Sequence, residues 1–316
     1  MKVKRLSRDL IRLGSRGSKL AIWQAEYVKK ELERKASLRV EIVEIRTTGD
    51  AVLDAPLAKI GGKGLFVKEI EEALLSGKVD LAVHSIKDVP SDLQDGLDIV
   101  SVTKREDPRD AFLSVNYRQL ADLPLGARLG TSSLRRQCQI LEMRPDLDIV
   151  SLRGNIDTRI RKMEEGGYDA IILAAAGIRR LGWEGKIRQY LPLDQFTPAV
   201  GQGALGIEAR ADDKRAVAAA ALLDDRETRL AVCAERAMLA RLEGGCQVPI
   251  AGHAVICGDN ILLSGLVGRP DGVEIVRASR SGAMNAPEKL GRELADELLE
   301  RGGRKILQEL YRQAEA

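Results

Sequence analysis

Short apolar runs alternate with segments of helical period along the first two thirds of this chain, and that alternation restricts it to an α/β architecture. Residues 10–14 read as a strand, Ser15-Arg16-Gly17-Ser18 as a loop, and 19–35 as a helix capped by Ser18. Leu20, Trp23, Tyr27, Val28 and Leu32 fall at helical spacing and predict its apolar face. Strands are expected at 40–46, 81–83 and 97–102, with a helix at 65–76 that stops at Gly77. After the dense charge of 104–110, which reads as a hinge, the theme repeats. A helix follows Gly130 and reaches Met143, and a second spans 156–165; strands fall at 147–152 and 170–173. Residues 204–208 read as a strand that rejoins the first sheet, followed by an alanine-rich helix at 213–223. Two crossings between two doubly wound αβ lobes predict a clam-like cleft. From 225 onward a smaller α+β unit is expected, with a helix at 226–242, strands near 251–256, 261–267 and 273–280, and helices near 288–301 and 305–312. The predicted domains are 1–103 with 204–223, then 104–203, then 224–316.

Composition removes several function classes. Charged residues make up 31% of the 316, yet the net charge is only +3, which argues against a nucleic-acid protein that works by bulk charge and leaves room for a local basic cleft. No run of about 18 apolar residues is present, and the basic N-terminus lacks the apolar core of a signal peptide. Cys138, Cys233, Cys246 and Cys257 form no CxxC pair, and there are two histidines, so the pattern is not that of a zinc site; no metal is expected. Widely spaced thiols fit a reducing, cytoplasmic setting. No apolar interface stripe stands out, so a monomer is expected.

Chemistry concentrates in loops at strand ends. Polar residues at the carboxyl end of an α/β strand face the ligand crevice. His84-Ser85-Ile86-Lys87-Asp88-Val89-Pro90 is such a segment, and Lys87 should keep Asp88 ionised. Arg16 beside the Ser18 cap makes an anion site at a helix N-terminus. Thr131, Ser133, Arg135 and Arg136 open the next helix; Arg153, Asn155 and Arg159 surround another, and Arg179 and Arg180 follow a third strand. Cations in a first helical turn oppose the macrodipole, so their recurrence points to a bound anion. Residues 47–64 form a longer connection than most, ending in Lys59-Ile60-Gly61-Gly62-Lys63-Gly64, which suggests a binding loop; it lacks the GxxxxGK[ST] pattern of nucleotide binding. After the helix at 226–242, Gly244 and Gly245 turn the backbone and present Cys246, accessible as a nucleophile or attachment point.

Taken together, the stretches RGSKLAIWQA, TTGDAVLDAPLAKIGGKGLFVKEIE, AVHSIKDVP, GTSSLRRQ, LRGNIDTR, LAAAGIRRLG, PAVGQGALGIE and EGGCQVPIAGHA resemble the porphobilinogen deaminase (hydroxymethylbilane synthase) family, from about residue 11 to about 252. The resemblance implies three domains, the first two like the lobes of periplasmic binding proteins with the active site between them. It implies a transferase that holds a dipyrromethane cofactor by a thioether on Cys246. Four porphobilinogen units are added to this primer with release of ammonia, and hydrolysis frees hydroxymethylbilane. By the family pattern Lys87, Ser85, Thr131, Ser133, Arg135, Arg136, Arg153 and Asn155 fall on cofactor-binding positions. Arg16, Ser18, Arg159, Arg180 and Gln202 fall on substrate-binding ones. Lys59, Lys63 and Phe66 lie on a loop near the site that covers it. Guanidinium forks suit the acetate and propionate groups of each pyrrole. A single fixed carboxylate, assigned to Asp88, would stabilise the cationic pyrrole formed on loss of ammonia and pass protons.

Two other classes share parts of this pattern. A two-lobed protein that binds a small anion without catalysis would have the same lobes but no role for Cys246. A phosphate-ester enzyme would use the basic residues but has no P-loop or metal cluster in the sequence.

Overall fold

The computed structural model describes residues 10–47, 67–243 and 248–315. The expected cover loop with Lys59, Lys63 and Phe66, and the turn carrying Cys246, therefore lie outside the described residues. Chain contacts divide the described residues into two compact units, one with 10–47, 67–106 and Ala204–Arg229, the other with Asp107–Gly203 and the described residues from Leu230 onward.

The first unit is a five-stranded sheet flanked by helices. Strands β1 (Leu10–Ser15), β2 (Arg39–Glu44), β3 (Leu81–Ser85) and β4 (Leu97–Val102) are joined by a late-arriving β10 (Leu205–Arg210). The sheet order is β2-β1-β3-β10-β4, with β1 parallel to β2 and β3, and β10 antiparallel to β3 and β4. The strand predicted to rejoin the first sheet thus lies inside it. Helix α1 (Lys19–Ala36) follows β1 and α2 (Lys68–Leu75) precedes β3. Alternation along β3 and β10 sorts their side chains by face. Leu81, Val83, Leu205, Ile207 and Ala209 pack with Ala25, Val28 and Leu32 of α1. Ala82 packs on the opposite face with Ile70, Ala73 and Leu74 of α2. The predicted face of α1 needs correcting. Trp23 and Tyr27 stack on each other with ring centroids 5.6 Å apart and are more than a third exposed, while Ala21, Gln24, Ala25, Val28 and Leu32 are buried. Small residues at 21 and 25 let the helix lie close to the sheet, which the aromatic spacing did not reveal.

The second unit repeats that topology. Strands β5 (Asp110–Leu113), β6 (Arg128–Gly130), β7 (Asp148–Val150), β8 (Ala170–Ala174) and β9 (Gln189–Tyr190) lie in the order β7-β6-β8-β5-β9. Here β6 is parallel to β7 and β8, and β5 is the antiparallel partner of β8 and β9. Helices α3 (Leu134–Met143), α4 (Ile156–Glu164) and α5 (Ala175–Arg180) follow β6, β7 and β8. Arg179 and Arg180 close α5 instead of opening a helix, so they complement its dipole.

Two more helices connect the parts: α6 (Lys214–Ala221), capped by Asp213, and α7 (Arg226–Arg241). Beyond α7, a three-stranded antiparallel sheet of β11 (Ile250–Cys257), β12 (Asn260–Gly268) and β13 (Ile275–Ala283) is backed by α8 (Pro287–Leu298) and α9 (Arg304–Glu315). Helix α8 buries Leu290, Leu294, Ala295 and Leu298 against this sheet and α7. Gly291 permits the closest approach: a Cβ there would stand 2.3 Å from the Ala234 carbonyl oxygen of α7.

Candidate active site

In the first unit, the strand order puts the ends of β1 and β3 side by side, at the point where the chain leaves β1 towards either neighbour. A concavity opens there, lined by Arg16, Ser18, Gln24, His84, Ser85 and Asp88 among others. Ser18 caps α1 by accepting from the Ala21 amide at 3.3 Å. The Ser85 hydroxyl accepts from Gln24 Nε2 at 2.9 Å. Beyond β3 the chain makes one tight turn, Ile86–Asp88, closed by Val89 N donating to the Ile86 carbonyl at 3.1 Å. That turn leaves Lys87 half-buried and Asp88 exposed. Four predicted residues, Arg16, Ser18, Ser85 and Asp88, thus share one concavity, with Lys87 on the turn beside them.

The second unit gathers its predicted residues at the matching ends of β6, β7 and β8. Thr131 Oγ1 accepts from Ser133 N at 3.1 Å, and Ser133 Oγ caps α3 through the Arg136 amide at 3.4 Å. Arg135 and Arg136 are buried, and both reach Asp110 at the start of β5. Arg135 Nη1 donates to Asp110 Oδ2 at 2.7 Å and to the Thr197 carbonyl at 2.9 Å. Arg136 Nε and Nη2 donate to Asp110 Oδ1 at 2.9 and 2.7 Å, and Nη1 to the Ile172 carbonyl at 3.0 Å. Burial alone would raise the Asp110 carboxyl; the two guanidinium groups override it and hold the acid well below the usual carboxylate range. Much of the conflict between these arginines and the α3 dipole is therefore relieved from inside the protein, a source of anion the sequence argument did not consider. Two cations against one carboxylate still leave a net positive charge.

The remaining loops carry more cations. Gly154 has φ +111°, and a Cβ there would stand 2.8 Å from Thr158 Cγ2, so this turn requires glycine. Asn155 is the exposed N-cap residue of α4, and Arg159 Nε donates to the Gly154 carbonyl at 2.6 Å. Arg153 is half-buried, and its carbonyl lies 3.4 Å from Lys162 Nζ. Arg180 Nη2 donates to the Gly203 carbonyl at 2.7 Å. Gln202 is buried; its Nε2 donates to the Pro108 carbonyl at 2.7 Å, while its Oε1 has no partner among the described residues.

The sequence-based expectations did not single out Asp110, His84, Glu208 or Glu235. Glu208 is fully buried in β10, with Oε2 2.8 Å from His84 Nε2. Glu235 of α7, also fully buried, accepts from Gly201 N at 2.6 Å and from Ala254 N at 2.8 Å. An acid inside an apolar strand run was the available signal for Glu208, whereas Glu235, beside Arg236 in a helix with other charges, offered none.

Residues 11–218 match the family model described as porphobilinogen deaminase, dipyromethane cofactor binding domain, and residues 229–300 match porphobilinogen deaminase, C-terminal domain. The porphobilinogen deaminase of Syntrophobacter fumaroxidans is 55% identical over 304 residues, 96% of this chain and 98% of that one. The chain belongs to the porphobilinogen deaminase family. The relative from Geobacter sulfurreducens is 54% identical over 302 residues, covering 95% of each chain. Among solved structures, the methionine binding protein MetQ is similar to 67% of this chain and 90% of its own at 17% identity and a TM-score of 0.44, a likeness too distant to inform function. The segment matched to the cofactor binding domain contains every predicted site residue except Cys246.

Proposed function

We propose that this protein is a hydroxymethylbilane synthase, a transferase that joins four porphobilinogen units head to tail on a covalent dipyrromethane primer, releases ammonia at each addition, and hydrolyses off the linear product. The observation that carries this reading is identity of 55% to a porphobilinogen deaminase across nearly the whole of both chains. A binding protein without catalysis is not favoured by that likeness.

The residues suit a guest rich in carboxylates. Arg16 and Ser18 sit at a helix N-terminus, and the Arg135–Arg136–Asp110 cluster keeps a surplus positive charge at the end of β6. When attached through Cys246, dipyrromethane supplies the pyrrole carbon that is extended and the anchor for the growing chain. Lys87, Ser85, Thr131, Ser133, Arg135, Arg136, Arg153 and Asn155 bind that group, Arg136 by holding Asp110 in place. Arg16, Ser18, Arg159, Arg180 and Gln202 receive the incoming substrate. Asp88 offers an exposed carboxylate on a turn fixed at both ends, suited to holding positive charge at a pyrrole N–H and accepting its proton. On this reading the protein has three domains, 1–103 with 204–223, 104–203 and 224–316, and acts as a cytoplasmic monomer.

The test follows porphobilinogen consumption and linear tetrapyrrole release by the wild type and by Asp88→Ala. Turnover should be present in the wild type and fall about a hundredfold or more in the variant, with fold and attached cofactor retained. Near-normal turnover in Asp88→Ala would remove Asp88 from the mechanism, and none in the wild type would overturn the activity itself.

A further inference from the structure

Strand β10 carries a charge its surroundings do not ask for. Leu205, Ile207 and Ala209 face an apolar core, but Glu208, on the other face, is fully buried with Oε2 2.8 Å from His84 Nε2. Its Oε1 has no hydrogen-bond partner among the described residues. Burying an acid with one oxygen unsatisfied is costly, and an apolar pair of similar volume would generally stabilise such a site as well or better. Stability alone therefore does not account for the pair.

The pair lies directly under the turn that bears Asp88. His84 is the penultimate residue of β3, opposite Gly206 of β10. Two residues on, Ile86 N donates to the Ala204 carbonyl at 3.1 Å, and the Ile86 side chain lies over Gly206, where a Cβ would come within 2.4 Å of Ile86 Cδ1. The start of β10 thus holds the Ile86–Asp88 turn by backbone and by packing, and the His84–Glu208 bond fixes β3 to β10 just behind it. His84 and Asp88 line the same concavity.

We infer that His84 and Glu208 are positioning residues for the reaction assigned to Asp88, holding its turn in register through a buried hydrogen bond between β3 and β10. This rests on the functional reading above. Among the described residues, Glu71 of α2 feels the charge of the pair, and Arg16 and Asp88 line the same concavity as His84. Burial first, and then the Glu208 charge, push the Glu71 carboxyl upward, against the opposing effect of the Gln94 amide and His84. A second buried acid thus stands close enough to feel the pair's charge, so a change at Glu208 alters the whole cluster.

Glu208→Gln keeps the shape and an acceptor for His84 but removes the charge. In the holoenzyme, kcat is expected to fall roughly tenfold to a hundredfold, as for a small misplacement of a reacting group, with KM within about threefold. Cofactor mass and the unfolding midpoint should stay near wild type, so that the loss falls on kcat alone. Should Glu208→Gln fail to fold, His84→Asn, which keeps a donor, is expected to show the same loss. Wild-type kcat in whichever variant folds would overturn the inference, as would a loss matching only the fraction unfolded. Failure of both variants to fold would also overturn it, by making the pair purely structural. These results are read against a wild type that turns over porphobilinogen; an inactive wild type would overturn the functional reading and this inference together.

Discussion

Asp110 has no solvent exposure and carries two guanidinium groups on its two oxygens, which makes it the residue on which the basic end of β6 depends. Removing its charge would leave two buried cations facing each other. Asp110→Asn is expected to cost about 3–5 kcal/mol, measured by urea unfolding at neutral pH. The pH dependence has a definite sign. The folded-state pKa is depressed, so the stabilisation is fully present above the ordinary carboxylate value of about 4 and is lost as pH falls below it towards the much lower folded value. In wild type the Asp110 contribution therefore fades progressively once pH falls below about 4, and the variant should lose that part of its acid sensitivity. The arginines of this cluster were legible in the sequence as a basic helix start; their internal counterion was not. Asp110 sits 25 residues from Arg135, and only the antiparallel return of β5 beside β8 brings the two together.

At the scale of single elements, most strands and helices were legible in their apolar periods, but β5, β6 and β9, of four, three and two residues, were not, because runs that short carry no period. The Ser18 cap and the α3 start among small hydroxyl residues follow from local chemistry; the return of 204–208 to the first sheet was expected, but its antiparallel place between β3 and β4 was not, because distant strands set it. Helix α1 shows where periodicity misleads: aromatic residues fall at the right spacing yet stack at the surface, and small residues make the contact. Close contact also governs α8 against α7. Since a Cβ at position 291 would meet backbone atoms of α7, Gly291→Ala cannot be relieved by a side-chain rotation. We expect a loss of about 1–3 kcal/mol in chemical unfolding, although alanine is the better helix former. A variant as stable as wild type would show that the two helices are free to separate. Because α7 leads towards Cys246, the same substitution should also lower the fraction of protein carrying the cofactor.

For the molecule as a whole, a net charge of +3 spread over 50 basic and 47 acidic residues gives little long-range attraction. Binding of an anionic substrate is expected to come instead from the local cations proposed to receive it, Arg16, Arg159 and Arg180. From about 0.01 M to about 1 M salt the Debye length falls from roughly 30 Å to about 3 Å. The KM for porphobilinogen is expected to rise several-fold over that range through its exposed contacts, with kcat little changed; a KM independent of salt would count against arginine-based recognition. Light scattering should report a monomer. The two-sheet plan with a smaller third sheet could be read from the alternation of elements, whereas the buried acids Glu208 and Glu235 could not, because their partners come from distant strands and loops. The account stands most directly on what is attached to the chain, and the intact mass of freshly purified protein measures that. It predicts an excess equal to two linked pyrrole units, absent from Cys246→Ser; an unmodified protein that still consumes porphobilinogen at full rate would contradict it.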